Sequence, residues 1–240
     1  MKLIWKTVLP FFTDTDALKC TGALIKENQC LKYYFFRTFS TKLSSMTFDI
    51  LNGEVIECDE NINKNLENEE LYGKRKPPKH YSEDDFVFDE YRIAHMGEWG
   101  YICTKNNEVL WKKSLRGYLY TDIIKVGDRI VFGTDGYGGH FYSLDINSGE
   151  IIFDFNTKGT SSFLQANNSF YFSLNKRKSS EVYRIDYDGN ILDSIELEGV
   201  RNDYSYPLAL CDQSIYAVTL IKKVKGTYEE FTPVVNRIDL

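Results

Sequence analysis

The sequence predicts an all-β fold made from repeats of a four-stranded unit, on three observations. A five-residue phrase recurs, in which a polar turn and a Gly or Asn lead into a short strand with an acid, Trp or Phe at its fifth position. It reads Gly53-Glu54-Val55-Ile56-Glu57, Asn107-Glu108-Val109-Leu110-Trp111, Gly149-Glu150-Ile151-Ile152-Phe153 and Gly189-Asn190-Ile191-Leu192-Asp193, with a looser copy at Met1-Lys2-Leu3-Ile4-Trp5. The fifth positions are spaced by 52, 54, 42 and 40 residues, and a further 52 lead from Asp193 through the C-terminus to Trp5. A period of about 40–50 residues is that of a propeller blade. Finally, short apolar or alternating runs punctuated by Gly, Asn and Asp fill most of the chain, and long helical periodicity is scarce. The expected architecture is a β-propeller of five four-stranded blades. Its ring closes when the N-terminal strand pairs with the C-terminal blade, which removes a free sheet edge.

The blades are expected at residues 17–59, 86–115, 121–156, 161–197 and 207–240 with 2–9. The first carries a long aromatic strand, Tyr33-Tyr34-Phe35-Phe36. The second is irregular, with strands at Phe86–Ala94, Gly100–Thr104 and Val109–Lys112. The third is the clearest. Ile123-Ile124-Lys125-Val126 turns through Gly127-Asp128 into Arg129-Ile130-Val131-Phe132, and His140 to Asp145 turns through Asn147-Ser148-Gly149 into Glu150 to Phe153. That is a four-stranded meander. The fourth repeats it through the turns Asn167-Asn168 and Asp188-Gly189. The fifth lacks a last strand, which Leu3-Ile4-Trp5-Lys6 can supply. Residues 60–85 are polar and contain Pro77-Pro78, which predicts a long loop inserted in the ring; Lys222–Thr232 is read as a smaller insertion.

The phrase from Phe141 to Asp145, its short turn, and Gly149 to Phe153 resembles the quinoprotein-type (PQQ-like) propeller repeat, which is related in kind to WD-like repeats. So does Asn107 to Trp111 followed by the Val126-Gly127-Asp128 hairpin. The resemblance implies that the aromatic residue of each outer strand docks on the next blade, a role open to Trp5, Trp111 and Phe153 but not to Glu57 or Asp193. It implies a fold and no cofactor. The enlarged, exported, metal-bearing enzymes of that family have features this sequence lacks.

Composition narrows the function. The 240 residues carry 15% aromatics, five prolines and a net charge of −6. Such a chain has material for a packed core and little attraction for nucleic acid. Residues 57–90 hold eleven acids and five bases, so the whole net charge lies there. Five scattered cysteines, no secretion signal and no long apolar run point to a reduced cytoplasmic protein that neither spans nor binds a membrane.

Familiar catalytic patterns are weak. Gly133 to His140 is Gly-rich, but a strand follows rather than the helix that a phosphate cradle requires. His80, His95 and His140 share no metal spacing. The strand-end acids Asp49, Asp145, Asp186 and Asp239 suit paired carboxylates on a propeller axis, but their regular recurrence favours a turn role.

The reading that remains is a non-enzymatic, monomeric protein-binding module with no cofactor and a basic protein partner. One concrete form is an immunity protein that neutralises a basic toxin such as a nuclease. The expected docking residues are Glu67, Glu69, Glu70, Tyr72, Tyr81, Glu83, Asp84 and Asp85, because acids steer a basic partner and tyrosines anchor it. A charged run is as often a plain solvated loop. The alternatives are a hydrolase or lyase using axial carboxylates and, last, an assembly scaffold.

Overall fold

In the computed structural model the described residues are 1–9, 24–27, 30–36, 43–62, 85–97, 99–135, 139–159, 163–201, 208–225 and 228–240. Every regular element among them is a β-strand, as the turn-punctuated pattern predicts. The first strand is β1 (Lys2–Val8). A sheet in chain order follows: β2 (Leu24–Glu27), β3 (Cys30–Phe36), β4 (Leu43–Asp49) and β5 (Val55–Ile62). The next sheet, also in chain order, is β6 (Phe86–Phe88), β7 (Tyr91–Met96), β8 (Gly100–Lys105) and β9 (Glu108–Ser114).

The third group is β10 (Tyr118–Leu119), β11 (Ile124–Val126), β12 (Arg129–Asp135), β13 (His140–Asp145) and β14 (Ile151–Asn156). Its order is β10-β12-β13-β14, with β11 also on β12. The fourth sheet is β15 (Phe163–Ala166), β16 (Ser169–Asn175), β17 (Ser179–Ile185) and β18 (Ile191–Glu198). The last strands are β19 (Val200–Arg201), β20 (Leu208–Cys211), β21 (Ser214–Lys225) and β22 (Tyr228–Asp239). They form a sheet in the order β1-β22-β21-β19, with β20 also on β21.

Three details differ from the sequence reading. Two of the five sheets gain a short fifth strand, β10 and β19. Residues 222–232 are no inserted loop, since the β21–β22 ladder runs on to Lys225↔Tyr228. Lys223 is paired with Glu230 across this ladder, and Lys222 Nζ lies 2.5 Å from Glu229 Oε1. Asp193 also finds a docking partner, described below. The N-terminal strand pairs as expected, running antiparallel to β22 from Lys2↔Asp239 to Val8↔Val234.

The chain divides into two compact units, Met1–Pro77 with Ser173–Tyr183 and Asp193–Leu240, and Pro78–Phe172 with Arg184–Leu192. The same device recurs inside each. In the first unit the Trp5 ring lies on Gly53, where an added Cβ would come within 2.5 Å of it. Trp5 Nε1 donates to the Ile50 carbonyl at 3.0 Å, and Thr7 Oγ1 donates to the Gly53 carbonyl at 2.6 Å. In the second unit Trp111 lies on Gly149, with 2.7 Å to such a Cβ, and Nε1 donates to the Ile146 carbonyl at 2.9 Å. Phe153 lies likewise on Gly189. In these three copies the fifth residue of one phrase therefore covers the first residue of another. Where that fifth residue is Asp193, its carboxylate instead takes the Met1 ammonium, so polarity replaces ring packing at the same place in the repeat.

A β-bulge makes this possible. The outer strands β1, β5, β9 and β14 each slip one residue against their partners, leaving Ile4, Ile56, Leu110 and Ile152 without an opposite number. The extra residue breaks the two-residue alternation. Phrase positions three and four then both turn outward, as Ile56 at 57% and Val109 at 53% exposure show, while Trp111 and Phe153 are buried.

Behind these strands lie the cores. Leu9, Leu31, Tyr33, Phe48, Tyr216 and Val235 build that of the first unit. Ile93, Tyr101, Phe132, Tyr142 and Leu144 contribute to that of the second. Phe141 adds a ring cluster there, 4.7 Å from Phe163 and 5.1 Å from Phe172 between centroids.

Two outcomes test these contacts. Gly127 and Gly149 both have positive φ, but a Cβ on Gly127 meets nothing within 4 Å. Gly149→Ala adds a clash with Trp111 to the backbone strain, so it costs about 2–4 kcal/mol, and Gly127→Ala about 1 kcal/mol. Equal costs in parallel denaturant titrations would deny the ring contact its role. Deleting residues 1–8 leaves β22 with an open edge, so that variant self-associates more than the full chain; a peptide of residues 1–9 reverses the increase, read by light scattering.

Candidate functional site

Three of the four strand-end acids singled out from the sequence, Asp49, Asp145 and Asp186, are engaged in turns, and Asp239 is not. Asp49 Oδ1 accepts the Leu51 and Asn52 amides at 2.7 and 3.2 Å. Asp145 Oδ1 accepts the Asn147 and Ser148 amides at 2.9 and 2.8 Å, and Asp186 Oδ1 those of Asp188 and Asn190 at 2.9 Å each. Hydrogen bonds from the Asn190 side chain and from turn amides hold the Asp186 carboxyl below the usual range. Asp239 instead accepts Ser214 Oγ at 2.7 Å and Arg237 Nε at 3.0 Å. Each of these groups has a local structural partner.

Glu67, Glu69, Glu70, Tyr72, Tyr81, Glu83 and Asp84 lie outside the described residues. Asp85 is described, and Arg92 on β7 holds it through both Nε and Nη2. Other acids flanking the segment are matched by bases of the sheets. Lys32 is 3.7 Å from Asp59, Lys125 is 3.4 Å from Asp89, and Lys105 is 2.8 Å from Glu90. The Lys105 hydrogen bond lowers the Glu90 pKa. Sequence reasoning missed these pairs because the bases come from other strands. Between these paired ends the sequence carries Glu67-x-Glu69-Glu70 and Glu83-Asp84.

A second constellation sits where β12 hands over to β13. Gly133 pairs with Phe141 across this hairpin, so a strand does follow the Gly-rich stretch. Thr134 Oγ1 accepts the His140 amide at 2.9 Å, and the Thr157 amide donates to the Gly139 carbonyl at 3.0 Å. His140 is thereby held against its neighbours, its ring stacked on Tyr142 at 5.2 Å. His140 Nδ1 donates to Asp154 Oδ1 at 2.5 Å. An aspartate-oriented histidine is the base half of a proton-transfer dyad. Here, however, Nε2 is shut from solvent and has no hydrogen-bond partner, so a substrate does not reach it in this conformation. The Tyr101 hydroxyl is likewise buried and unbonded. Burial pushes the Tyr142 hydroxyl up to about 12, with the Asp154 charge adding to the effect. Burial, then the neighbouring Tyr142, raises Tyr101 further. Cys103 is pushed up to about 11 by burial and is no nucleophile at neutral pH. Among the described residues no three His, Cys, Asp or Glu side chains are placed to hold a metal ion.

The two tyrosines set an alkaline limit. Unfolded tyrosine ionises near pH 10, whereas both buried rings stay neutral above it. Above about pH 10 the unfolded chain holds fewer protons, so stability falls as pH rises. Tyr101→Phe removes a buried hydroxyl that has no partner, so Tm at pH 7 holds or rises and the alkaline fall flattens. A loss at pH 7 of more than about 5 °C would show that the hydroxyl is bonded in solution.

No family model matches the sequence, and no curated protein matches it. Among solved structures the chain is similar to BamB from Moraxella catarrhalis, with a TM-score of 0.41 and 12% identity over 90% of this chain and 57% of that one. It is also similar to the computationally designed Ika8 protein, with a TM-score of 0.40 and 14% identity over 85% of this chain and 57% of the other. A europium-containing methanol dehydrogenase gives a TM-score of 0.39 and 11% identity over 95% of this chain and 48% of the enzyme. The chain spans about half the length of these proteins.

Proposed function

We propose that this chain is a five-bladed β-propeller, closed by β1, that works by binding a basic protein and performs no chemistry on it. The observation that carries the reading is the charge distribution. All of the net charge of −6 falls within residues 57–90, while the rest of the chain is balanced. The paired acids Asp59, Asp85, Asp89 and Glu90 tie the two ends of that segment to the sheets. The acids between those ends, Glu67, Glu69, Glu70, Glu83 and Asp84, are the docking charges. Tyr72 and Tyr81 are the anchors beside them. Neutralisation of a basic toxin suits such a surface, because acids in a row imitate the polyanion that a nuclease binds. The closed environment of His140 Nε2 favours this reading over a hydrolase or lyase.

Salt and charge reversal provide the test. Immobilised full-length chain should retain a basic protein from its host's lysate at low ionic strength and release it as salt rises. Reversing Glu67, Glu69, Glu70, Glu83 and Asp84 to Lys should abolish capture without changing Tm. A partner held equally by the reversed chain would move the docking surface elsewhere.

A further inference from the structure

In the second compact unit the β11–β12 turn, the end of β13 and the β17–β18 turn border an open surface hollow of about 360 Å³. Val126, Asp128, Arg129, Asp145, Ile152 and Tyr187 line it. The walls are fixed in advance. Arg129 Nη1 reaches across to the Tyr187 carbonyl and to Asp188 Oδ1, the latter at 2.9 Å, so one guanidinium ties two turns together. The Tyr187 ring packs 5.0 Å from Phe170, and its hydroxyl accepts Gln165 Nε2 at 3.0 Å. The Ile146 amide donates to the Asp128 carbonyl at 2.9 Å, which holds that turn by its backbone alone.

The charges of this cavity do not cancel. Asp188 neutralises Arg129 from outside the lining. Asp145 spends Oδ1 on its own turn, where Asn147, Ser148 N and Ser148 Oγ all donate to it, and Oδ2 stays outside that turn. The Asp128 carboxylate is exposed and engages no base among the described residues. A hollow with an anchored tyrosine face, aliphatic sides from Val126 and Ile152, and an uncompensated carboxylate matches one kind of guest. That guest has an alkyl stem and a cationic head, since stems lie along apolar walls and cations favour carboxylates and aromatic faces.

We infer that this cavity seats a lysine or arginine side chain of the basic partner. The identity of the guest's owner rests on the proposed function; the cation preference rests on the cavity alone.

The test is an amide-shift NMR titration of the full chain with the peptides acetyl-Gly-Lys-Gly-amide and acetyl-Gly-Glu-Gly-amide, and with butylamine. The lysine peptide should shift Gly127, Asp128 and Tyr187 at millimolar concentration. Asp128→Asn, an exposed turn change, should weaken it about fivefold. Butylamine should bind more weakly, because it lacks the backbone that a protein guest brings; equal binding would make this a free-amine site and overturn the assignment to a partner side chain. Shifts driven by the glutamate peptide would show that Arg129 governs the cavity, and absence of shifts would show that no cation enters; both overturn the inference. The two readings fail separately. If the acid segment captures a partner that Asp128→Asn binds equally well, only the cavity's role is lost. If the lysine peptide binds but no basic protein is ever captured, only the partner reading is lost.

Discussion

The seating of an aromatic ring on a backbone glycine is the contact on which the repeat depends. Two conditions must hold together. The first residue of a phrase must lack a Cβ and sit at positive φ, as Gly53, Gly149 and Gly189 do. The fifth residue of another must turn inward although its two predecessors face outward, and the bulge at Ile4, Leu110 and Ile152 does this. Neither condition is useful without the other. A ring without its glycine has no seat, and a glycine without its ring leaves a turn short of contacts in a structure whose margin is only a few kcal/mol. The indole hydrogen bonds to Ile50 and Ile146 then set the ring's angle, because each carbonyl precedes its glycine by three residues.

This explains which parts of the structure could be read from residues alone. The resemblance to the PQQ-like repeat implied docking by Trp5, Trp111 and Phe153, and each of the three rings lies on a glycine of another copy. The aspartates before the turns were legible too, since Asp49, Asp145 and Asp186 accept hydrogen bonds from groups within a few residues of themselves. Local chemistry of this sort leaves a local trace. The bulge leaves none: Val109-Leu110 or Ile151-Ile152 reads as buried strand, and only the register against β8 or β13 shows why both positions face out. The ion pairs around the acid segment were hidden for a similar reason. Lys32 and Lys125 lie far along the chain from Asp59 and Asp89, and no periodicity joins them. The Asp193–Met1 pair was missed because an acid in an aromatic position looked like a gap in the pattern.

The histidine region shows the opposite lesson. By residue type, His140, Asp154, Tyr142 and Tyr101 resemble a site for proton transfer. Geometry gives them another role. His140, held at its backbone amide and at Nδ1 and stacked on Tyr142, begins β13 directly after Gly139. Polar groups inside a core confer register and orientation when they are bonded and cost stability when they are not. Both kinds occur within this cluster, where Nδ1 of His140 is bonded and its Nε2 is not.

The pairing of β1 with β22 also bears on how the protein is made. These partners lie more than two hundred residues apart, so the contact is among the least local that a chain of this size can form. At ribosomal rates of roughly 5–20 residues per second, β1 waits on the order of 10–50 s before β22 exists. During that time its aliphatic face and its backbone groups are open to any passing strand. Lys2 and Lys6 are the charges it carries through this interval. Their exposure in the finished protein suits gatekeepers that keep a young strand solitary until its own partner arrives.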